Sequence, residues 1–244
     1  YWGGPGFRGN FDGAGYSVSG VYINDSGDKY GGLFSYIVAS DTRYFKNLTL
    51  KNSYIYCKDG YAGGIMGACR GYPYGANVIF ENCYTEESVY VYSGMKGGSG
   101  LFGYSNANVT VKNSASVARS AENGGFLKYG LAVTDSDAKS YDFIFYNCFA
   151  LCSENIYDIY PGAKLTELRI ASISEAEKIT GEAAKENMPQ LNWSVWKTSD
   201  KYPILNSNAA SNDDICNIRA HYNDTADTVK TIEVIKGIPF EIPA

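Results

Sequence analysis

The stretch Ala76–Thr85 has the sequence ANVIFENCYT, which places two apolar residues two positions apart, then Asn, then a small residue. The same order occurs in KNLTLKNSYI from Lys46, ANVTVKNSAS from Ala107 and YDFIFYNCFA from Tyr141. Apolar residues at alternate positions are typical of a β-strand with one buried face. The recurrence therefore indicates one strand that is repeated along the chain.

The repeat has a nearly constant length. A looser copy, YSVSGVYIND from Tyr16, places Gly20 where the other copies have Asn, and successive positions then lie 30 to 34 residues apart. Units of this length that must stack to bury their apolar faces are typical of solenoids. The all-β composition and this spacing predict a right-handed parallel β-helix of about five coils over residues 16–162. Asn tolerates the left-handed conformation and can hydrogen-bond to its copy one coil away, so we expect one stack of Asn52, Asn82, Asn113 and Asn147.

A glycine-containing element follows each of these positions. It reads GGLF, GGIM, SGLF and GGFL, and a fifth copy near Asp158 is degenerate. In the first, second and fourth copies the element begins 11 residues after the Gly or Asn position, and in the third copy it begins 17 residues after it. This predicts an insertion of about six residues between Cys83 and Ser99. The four copies occupy Gly31–Phe34, Gly63–Met66, Ser99–Phe102 and Gly124–Leu127.

Composition and motifs argue against several functions: nucleic-acid binding, membrane insertion, metal or cofactor binding, and catalysis. The 244 residues carry 21 Lys and Arg against 26 Asp and Glu, which argues against nucleic-acid binding. No apolar run is long enough to insert into a membrane. The single histidine, His221, leaves no basis for a His-ligated metal cluster, and Gly98–Gly103 matches a dinucleotide motif outside its βαβ context. We see no pair of acidic residues repeated on one face. The sequence therefore predicts no enzymatic activity, no metal site and no cofactor.

Six cysteines raise the question of disulfides. Cys83 and Cys148 share one repeat position two coils apart, about 9–10 Å, and Cys57 and Cys152 share another three coils apart, about 14 Å. A disulfide requires Cα atoms within about 7 Å. We expect neither pair to be bridged, and pairings of Cys69 or Cys216 stay open.

The chain divides into three predicted parts. Residues 1–165 form the β-helix, residues 166–208 a capping segment, and residues 209–244 a linker and the opening strands of a following β module. The capping segment holds the two helical patterns SISEAEKI and TGEAAKENMPQL. Because an open β-helix end exposes backbone and core, we expect Ser174–Pro203 to close that end and to bury Trp193 or Trp196. The alternative is a tryptophan platform for sugars.

Several of these motifs together resemble the GLUG-type repeats of large bacterial surface proteins. FRGNFDGAGYSVSGVYI from Phe7 is similar to the usual opening segment, YGGLFSYI, AGGIMGAC and SGLFGYS to the repeat core, and ITGEAAKENMPQLNWSVWKTSDKYPILNS from Ile179 to the closing segment. The resemblance covers residues 7–207. It implies a secreted or cell-wall-anchored bacterial protein with an adhesin-like role. We expect the chain to be a monomeric fragment of a larger surface protein. It carries over no catalytic residues.

Tyrosine supplies the candidate binding site. The chain has 22 Tyr, a residue that gives rigid contact area with a polar tip. We predict a ligand surface on the second and third coils, where the repeat departs from its pattern, and expect it to bind a host macromolecule such as a mucin glycan, an immunoglobulin or another host protein. A passive stalk is the first alternative and a polysaccharide-degrading enzyme the second. Outward Tyr that only pack between coils would favour the stalk. The candidate residues are Arg70, Tyr72, Tyr74, Tyr84, Tyr90 and Tyr92.

Overall fold

The chain folds into a parallel β-solenoid of about four turns. The structure is a computed structural model, and it describes residues 6–25, 29–71, 75–95, 97–122, 124–134, 140–189, 191–205, 215–221 and 229–235. The prediction of a parallel β-helix is confirmed, with about four turns in place of five.

The strands follow one another coil by coil. The first coil holds β1 (Phe11–Asp12), β2 (Ser17–Ser19), β3 (Tyr22–Asp25), β4 (Tyr30–Gly31) and β5 (Phe34–Ala39). The second holds β6 (Arg43–Lys51), β7 (Ser53–Cys57), β8 (Tyr61–Ala62) and β9 (Met66–Gly71). The third holds β10 (Asn77–Thr85), β11 (Val89–Ser93) and β12 (Phe102–Asn106). The fourth holds β13 (Asn108–Lys112), β14 (Ala115–Ser116), β15 (Arg119–Ser120) and β16 (Tyr129–Val133). A partial coil follows, with β17 (Asp142–Leu151), β18 (Asn155–Asp158) and β19 (Lys164–Ile173).

Equivalent strands of successive coils pair in parallel and form three sheets. Sheet A contains β1, β2, β6, β10, β13, β14, β17 and β19. Sheet B contains β3, β7, β11 and β15, and sheet C contains β5, β9, β12, β16 and β18. The short strands β4 and β8 pair with each other. Apolar side chains that point inward from the sheets form one continuous core, with Phe80 and Phe102 stacked at 5.8 Å between ring centroids.

The asparagine stack is present, but Asn47 takes the place predicted for Asn52. Strand pairing places Glu81 beside Lys46 and Cys83 beside Leu48, so Asn82 lies beside Asn47. The Asn82 Nδ2 donates to Asn47 Oδ1 at 2.8 Å. The stack of Asn47, Asn82, Asn113 and Asn147 has φ between 46° and 54°, the left-handed region that Asn tolerates.

Asn52 belongs to a different corner of the coil. It is also left-handed, at φ 45°, but it lies beside Gly20, whose N–H donates to the Asn52 carbonyl oxygen. The sequence offers two similar choices, because an apolar residue and Lys precede both Asn47 and Asn52. The prediction therefore placed Asn52 in the stack of Asn82, although the residue that lies there is Asn47, five positions earlier.

The corrected register removes the predicted insertion. Gly63 pairs with Ser99, and Ser99 with Tyr129. Gly63, Ser99 and Tyr129 lie 16, 17 and 16 positions after the stacked asparagines of their own coils, which are Asn47, Asn82 and Asn113. The coils are therefore almost equal in length there, and the six-residue insertion between Cys83 and Ser99 is wrong.

The fourth glycine element also lies elsewhere. Tyr129–Ala132, not Gly124–Leu127, follows the path of Ser99–Phe102, since the Gly100 N–H donates to the Gly130 carbonyl oxygen at 2.9 Å. A Cβ atom on Gly100 would lie 2.3 Å from that oxygen. Glycine is required here because the backbones of adjacent coils touch.

The cysteines follow the same register. Cys83 and Cys148 flank Ser114 in one buried stack, as predicted, whereas Cys57 pairs with Ser93 on sheet B and is not equivalent to Cys152. All five cysteines with described side chains are buried and form no disulfide with one another: Cys57, Cys69, Cys83, Cys148 and Cys152. Burial raises the pKa of the Cys69, Cys83 and Cys148 thiols to about 12. The Cys216 side chain lies outside the described residues.

The segment that follows β19 covers a side of the solenoid. It contains a 3-10 helix (Ala176–Ile179), α1 (Ala183–Asn187) and the antiparallel pair β20 (Trp196–Lys197) and β21 (Ile204–Leu205). Trp196 is buried, as predicted, but its neighbours are outward residues of sheet A on successive coils, including Tyr84 and Phe149. The predicted end cap is therefore a lateral cover.

The last described elements are β22 (Ile215–His221) and β23 (Val229–Ile235), which form an antiparallel hairpin. This agrees with the alternating pattern that predicted strands after residue 209. Within the described ranges, no helix has the length and apolar character to span a membrane.

Candidate functional site

Tyr84 does not belong to an open surface. It is 3% exposed and lies against Trp196, with 6.0 Å between the ring centroids. Burial raises the pKa of its hydroxyl well above the ordinary value. The prediction of Tyr84 as a ligand-binding residue is wrong, because the lateral segment covers it.

The other predicted residues are divided between two sheets. Arg70 is the penultimate residue of β9 on sheet C, where it pairs with Val38 and Asn106. Burial raises the pKa of Tyr36, and the positive charge of Arg70 opposes that shift without cancelling it. Tyr72 and Tyr74 fall outside the described residues. Of the predicted set, the structure brings together only Tyr90 and Tyr92, both on β11.

Tyr90 and Tyr92 form part of a larger aromatic surface on sheet B. The strand register places Tyr22, Tyr54 and Tyr90 in one column and Asn24, Tyr56 and Tyr92 in a second. The residues between the columns point inward, and Ile55 and Val91 are fully buried. We call the outward set the tyrosine surface; its members are Tyr22, Asn24, Tyr54, Tyr56, Tyr90 and Tyr92.

The rings of the tyrosine surface stack along the solenoid axis. Tyr22 and Tyr54 have centroids 5.4 Å apart at an interplanar angle of 22°, and Tyr56 and Tyr92 are 5.4 Å apart at 10°. In each pair, one face of each ring lies against its neighbour. Tyr22 is 71% exposed and Tyr90 36%. The surface therefore exposes tyrosine side chains to the solvent in the first and third coils, and its other tyrosines are half-buried.

Charged groups border the tyrosine surface at its fourth-coil end. Arg119 pairs with Tyr90 in the strand register and binds the Glu87 carboxylate, which also binds Lys201 of the lateral segment. Burial would raise the pKa of Glu87, but the hydrogen bonds and charges of Lys201 and Arg119 outweigh it, so this pKa lies below its ordinary value.

Glu122 provides a carboxylate at the same end. The hydrogen bond to Glu122, together with partial burial, raises the pKa of Tyr92. The exposed Glu122 carboxylate therefore lies near the Tyr92 hydroxyl. This acidic group lies beside the second column of the surface.

A second group of tyrosines has a different environment. Tyr61 and Tyr104 are buried, and Tyr30 stacks on Tyr36 at 5.5 Å. These residues form a satellite core with Ala68 and Val133. Their aromatic area is used for packing, in contrast to that of the tyrosine surface.

Sequence reasoning missed Tyr22, Asn24 and Arg119 as members or neighbours of the surface. The signal was available for Tyr22, because YIN from Tyr22 aligns with YIY from Tyr54 and YVY from Tyr90. The predicted insertion, which the structure does not contain, placed the candidate surface on the second and third coils and left Tyr22 of the first coil out. Arg119 could not be found this way, since β15 has only two residues.

Comparisons with known proteins give one structural similarity. No family model matches the chain, and no curated protein matches it. The resemblance to GLUG-type repeats therefore stays an expectation. A solved structure described as a "putative immunoglobulin A1 protease" from Bacteroides ovatus aligns with 82% of this chain and 78% of its own, at 14% identity and a TM-score of 0.41.

This similarity contradicts the prediction that the chain has no enzymatic activity, because the similar protein is described as a protease. That prediction is withdrawn. The similarity is too low to transfer the activity to this chain, and we assign no catalytic residue from it. Among the described residues, no three His, Cys, Asp or Glu side chains are placed to hold a metal ion.

Proposed function

We propose that the chain is a surface module of a bacterial protein, secreted or anchored to the cell wall, that binds a host macromolecule through the tyrosine surface. The observation that supports this is the open array of five Tyr on sheet B. Tyr combines a large contact area with few rotatable bonds, which makes it effective in recognition. Immunoglobulin and mucin are the partners that we propose to test.

A binding measurement with surface variants tests the proposal. Purified mucin and immunoglobulin are immobilised separately, and the full chain is passed over each. We expect at least one partner to bind, and the triple variant Tyr22→Ala, Tyr54→Ala, Tyr90→Ala to weaken that binding at least tenfold. The matched control is Tyr160→Ala, since Tyr160 is 37% exposed and lies outside the surface.

The outcomes separate binding from the alternative of a passive stalk. Equal binding by the triple variant and the native chain would place the site elsewhere. A native chain that binds neither partner would favour the stalk. Circular dichroism and a urea midpoint for each variant exclude loss of the fold as the cause.

A further inference from the structure

We propose that Glu167 closes the C-terminal end of the solenoid to other copies of this chain. This role is independent of the tyrosine surface, since Glu167 lies on the last strand of sheet A and the tyrosine surface lies on sheet B. Because the lateral segment is not an end cap, the end of the solenoid needs another means of staying separate from other chains.

The last strand of sheet A has a free edge. Within the described ranges, β19 pairs with β17 alone. The lateral segment packs against Ala171 and Ile173 in the second half of β19, but Leu165 and Leu168 in the first half are 37% and 46% exposed. An edge strand that exposes apolar side chains can pair with a strand of another chain.

One charged residue occupies a core position of this strand. The strand register aligns five residues of successive coils, namely Phe45, Phe80, Val111, Phe145 and Glu167. The four apolar members are 0% exposed and belong to the core, whereas Glu167 is exposed. The chain therefore ends a column of buried apolar residues with a carboxylate.

Glu167 has no partner for its charge among the residues that the structure describes. The two basic residues of β19 contact the preceding strand: Lys164 Nζ lies 3.4 Å from the Asp142 carboxylate, and Arg169 donates to the Tyr146 hydroxyl at 3.3 Å. Glu167 forms no hydrogen bond or ion pair with any described residue. Its charge is therefore stabilised by water, and removal of that water is unfavourable.

The opposite end of sheet A presents an apolar edge. β1 lies at that edge, and its Phe11 pairs with Phe45, so Phe11 belongs to the same column as Glu167. Phe7, Phe11 and Phe34 pack against the core and are only partly buried. A second copy stacked head-to-tail in the register of the solenoid would place its Phe11 beside Glu167 and bury the carboxylate without a counter-charge.

The carboxylate opposes this head-to-tail contact. Transfer of an unpaired charge from water to an apolar environment is strongly unfavourable. Inward-pointing charges on an edge strand are one of the means by which β-sheet proteins avoid pairing with other chains. Because a head-to-tail contact of this kind does not close into a dimer, copies without the charge would add to one another in open chains.

Sedimentation velocity of the full chain over a range of concentrations tests the role of Glu167. Glu167→Val completes the apolar column, in which Val is already present at position 111. We expect the native protein to keep the mass of one chain. The weight-average mass of Glu167→Val should rise at least twofold and should keep rising with concentration.

A second variant keeps the test valid if Glu167→Val loses the fold. Glu167→Gln removes the charge and nearly keeps the size of the side chain, and we expect it to associate more than the native protein does. Circular dichroism at the lowest concentration establishes the fold of each variant.

Three further variants separate the position of the charge from the charge itself. Glu177→Val removes a carboxylate from an exposed place in the 3-10 helix of the lateral segment, and Glu167→Lys keeps a charge at position 167. We expect both to keep the mass of one chain. Leu165→Lys, added to Glu167→Val, should restore the mass of one chain, because Leu165 lies two positions earlier on the same face of β19.

Four results would overturn the inference. The first is a mass of one chain at every concentration for both Glu167→Val and Glu167→Gln, and the second is self-association of the native protein. The third is equal association of Glu177→Val, which would make net charge the cause. The fourth is a mass that stops at two chains, which would contradict the head-to-tail contact. None of these results bears on binding of mucin or immunoglobulin by the tyrosine surface.

Discussion

Sheet A and sheet B both carry outward aromatic residues, and the lateral segment covers those around Tyr84 on sheet A but not those of sheet B. On sheet A, the stacked positions Tyr84, Ala115, Phe149 and Ala171 lie beneath the lateral segment and are buried. On sheet B, the tyrosine surface faces the solvent, with Tyr22 71% exposed. The same chain thus encloses one aromatic face with about thirty residues and leaves the other open.

The sequence of each face agrees with its environment. At the position where the third coil has the buried Tyr84, the second coil has the half-buried Thr49 and the first has Ser17. Apolar residues therefore occur at this position only in the coils that the segment covers. The open face uses Tyr, whose hydroxyl tolerates water while its ring retains contact area. The difference teaches that outward aromatics alone do not define a binding surface, because a distant segment decides which remain accessible.

Trp196→Ala should have the largest effect on this contrast. Trp196 is 1% exposed and packs edge-on against Phe149 at 4.8 Å. Loss of a buried Trp removes its transfer free energy and leaves a cavity, so we expect the free energy of unfolding to fall by about 3–5 kcal/mol. Urea denaturation measures this.

The matched control for this variant is Trp196→Phe. It keeps an aromatic ring and removes the indole N–H, which is buried with no hydrogen-bond partner within the described residues. We expect a smaller cost than for Trp196→Ala, because the phenyl ring leaves a smaller cavity than the methyl group does. Equal costs for both variants would contradict the role of the ring contact.

Glu87→Gln tests the ionic contact that joins the lateral segment to the solenoid near the open face. The pKa of Glu87 is lowered, so its ionised form contributes stability above the ordinary value near 4.5, and this contribution is lost as the pH falls through the lowered pKa. We expect the variant to lose about 1 kcal/mol at pH 7 and to show a weaker loss of stability on acidification. Urea midpoints at pH 7, 5 and 3 measure this.

Glu86→Gln is the control for the pH dependence. Burial raises the pKa of Glu86, and Lys51 opposes the shift without cancelling it. The native Glu86 therefore favours unfolding at neutral pH and ceases to do so as the pH falls through its raised pKa. The two variants should change the slope of stability against pH in opposite directions; slopes of the same sign would refute the assignment.

A double-mutant cycle on Tyr56 and Tyr92 measures stacking on the open face. The two rings are nearly parallel at 5.4 Å. We expect a coupling free energy of about 0.5–1.5 kcal/mol between Tyr56→Leu and Tyr92→Leu. A coupling near zero would mean that the rings are arranged by the backbone register alone.

Tyr22→Ala should have the smallest effect on stability. An exposed side chain at the first coil contributes little to folding, so we expect a change within about 0.5 kcal/mol, together with weaker partner binding. A loss above about 2 kcal/mol would show that the open face stabilises the fold much as the covered face does.

Much of the architecture could be predicted from local sequence. The alternating apolar residues and the Asn before Cys83 and Cys148 identify parallel stacking, because each signal lies within one strand. The register of the second coil could not be resolved this way, since Asn47 and Asn52 occupy left-handed corners in similar local sequences.

The site was harder to predict than the fold. Tyr90 and Tyr92 were found from composition, but the burial of Tyr84 depends on Trp196, which is more than a hundred positions away in the chain. Nothing in the local sequence of Tyr84 reports that contact. Exposure is a property of tertiary packing, whereas strand periodicity is a property of the local sequence.

The left-handed corner gives the solenoid a natural unit for changing its length. Residues 82–112 begin at one left-handed Asn and end directly before the next, and Asn82 and Asn113 have φ of 54° and 46°. A duplicate of these residues inserted before Asn113 would join the chain at the same backbone angle on both sides. The longer protein would gain one strand of sheet B and, with it, a second copy of Tyr90 and Tyr92. The length of the tyrosine surface along the solenoid axis would then be set by the number of coils.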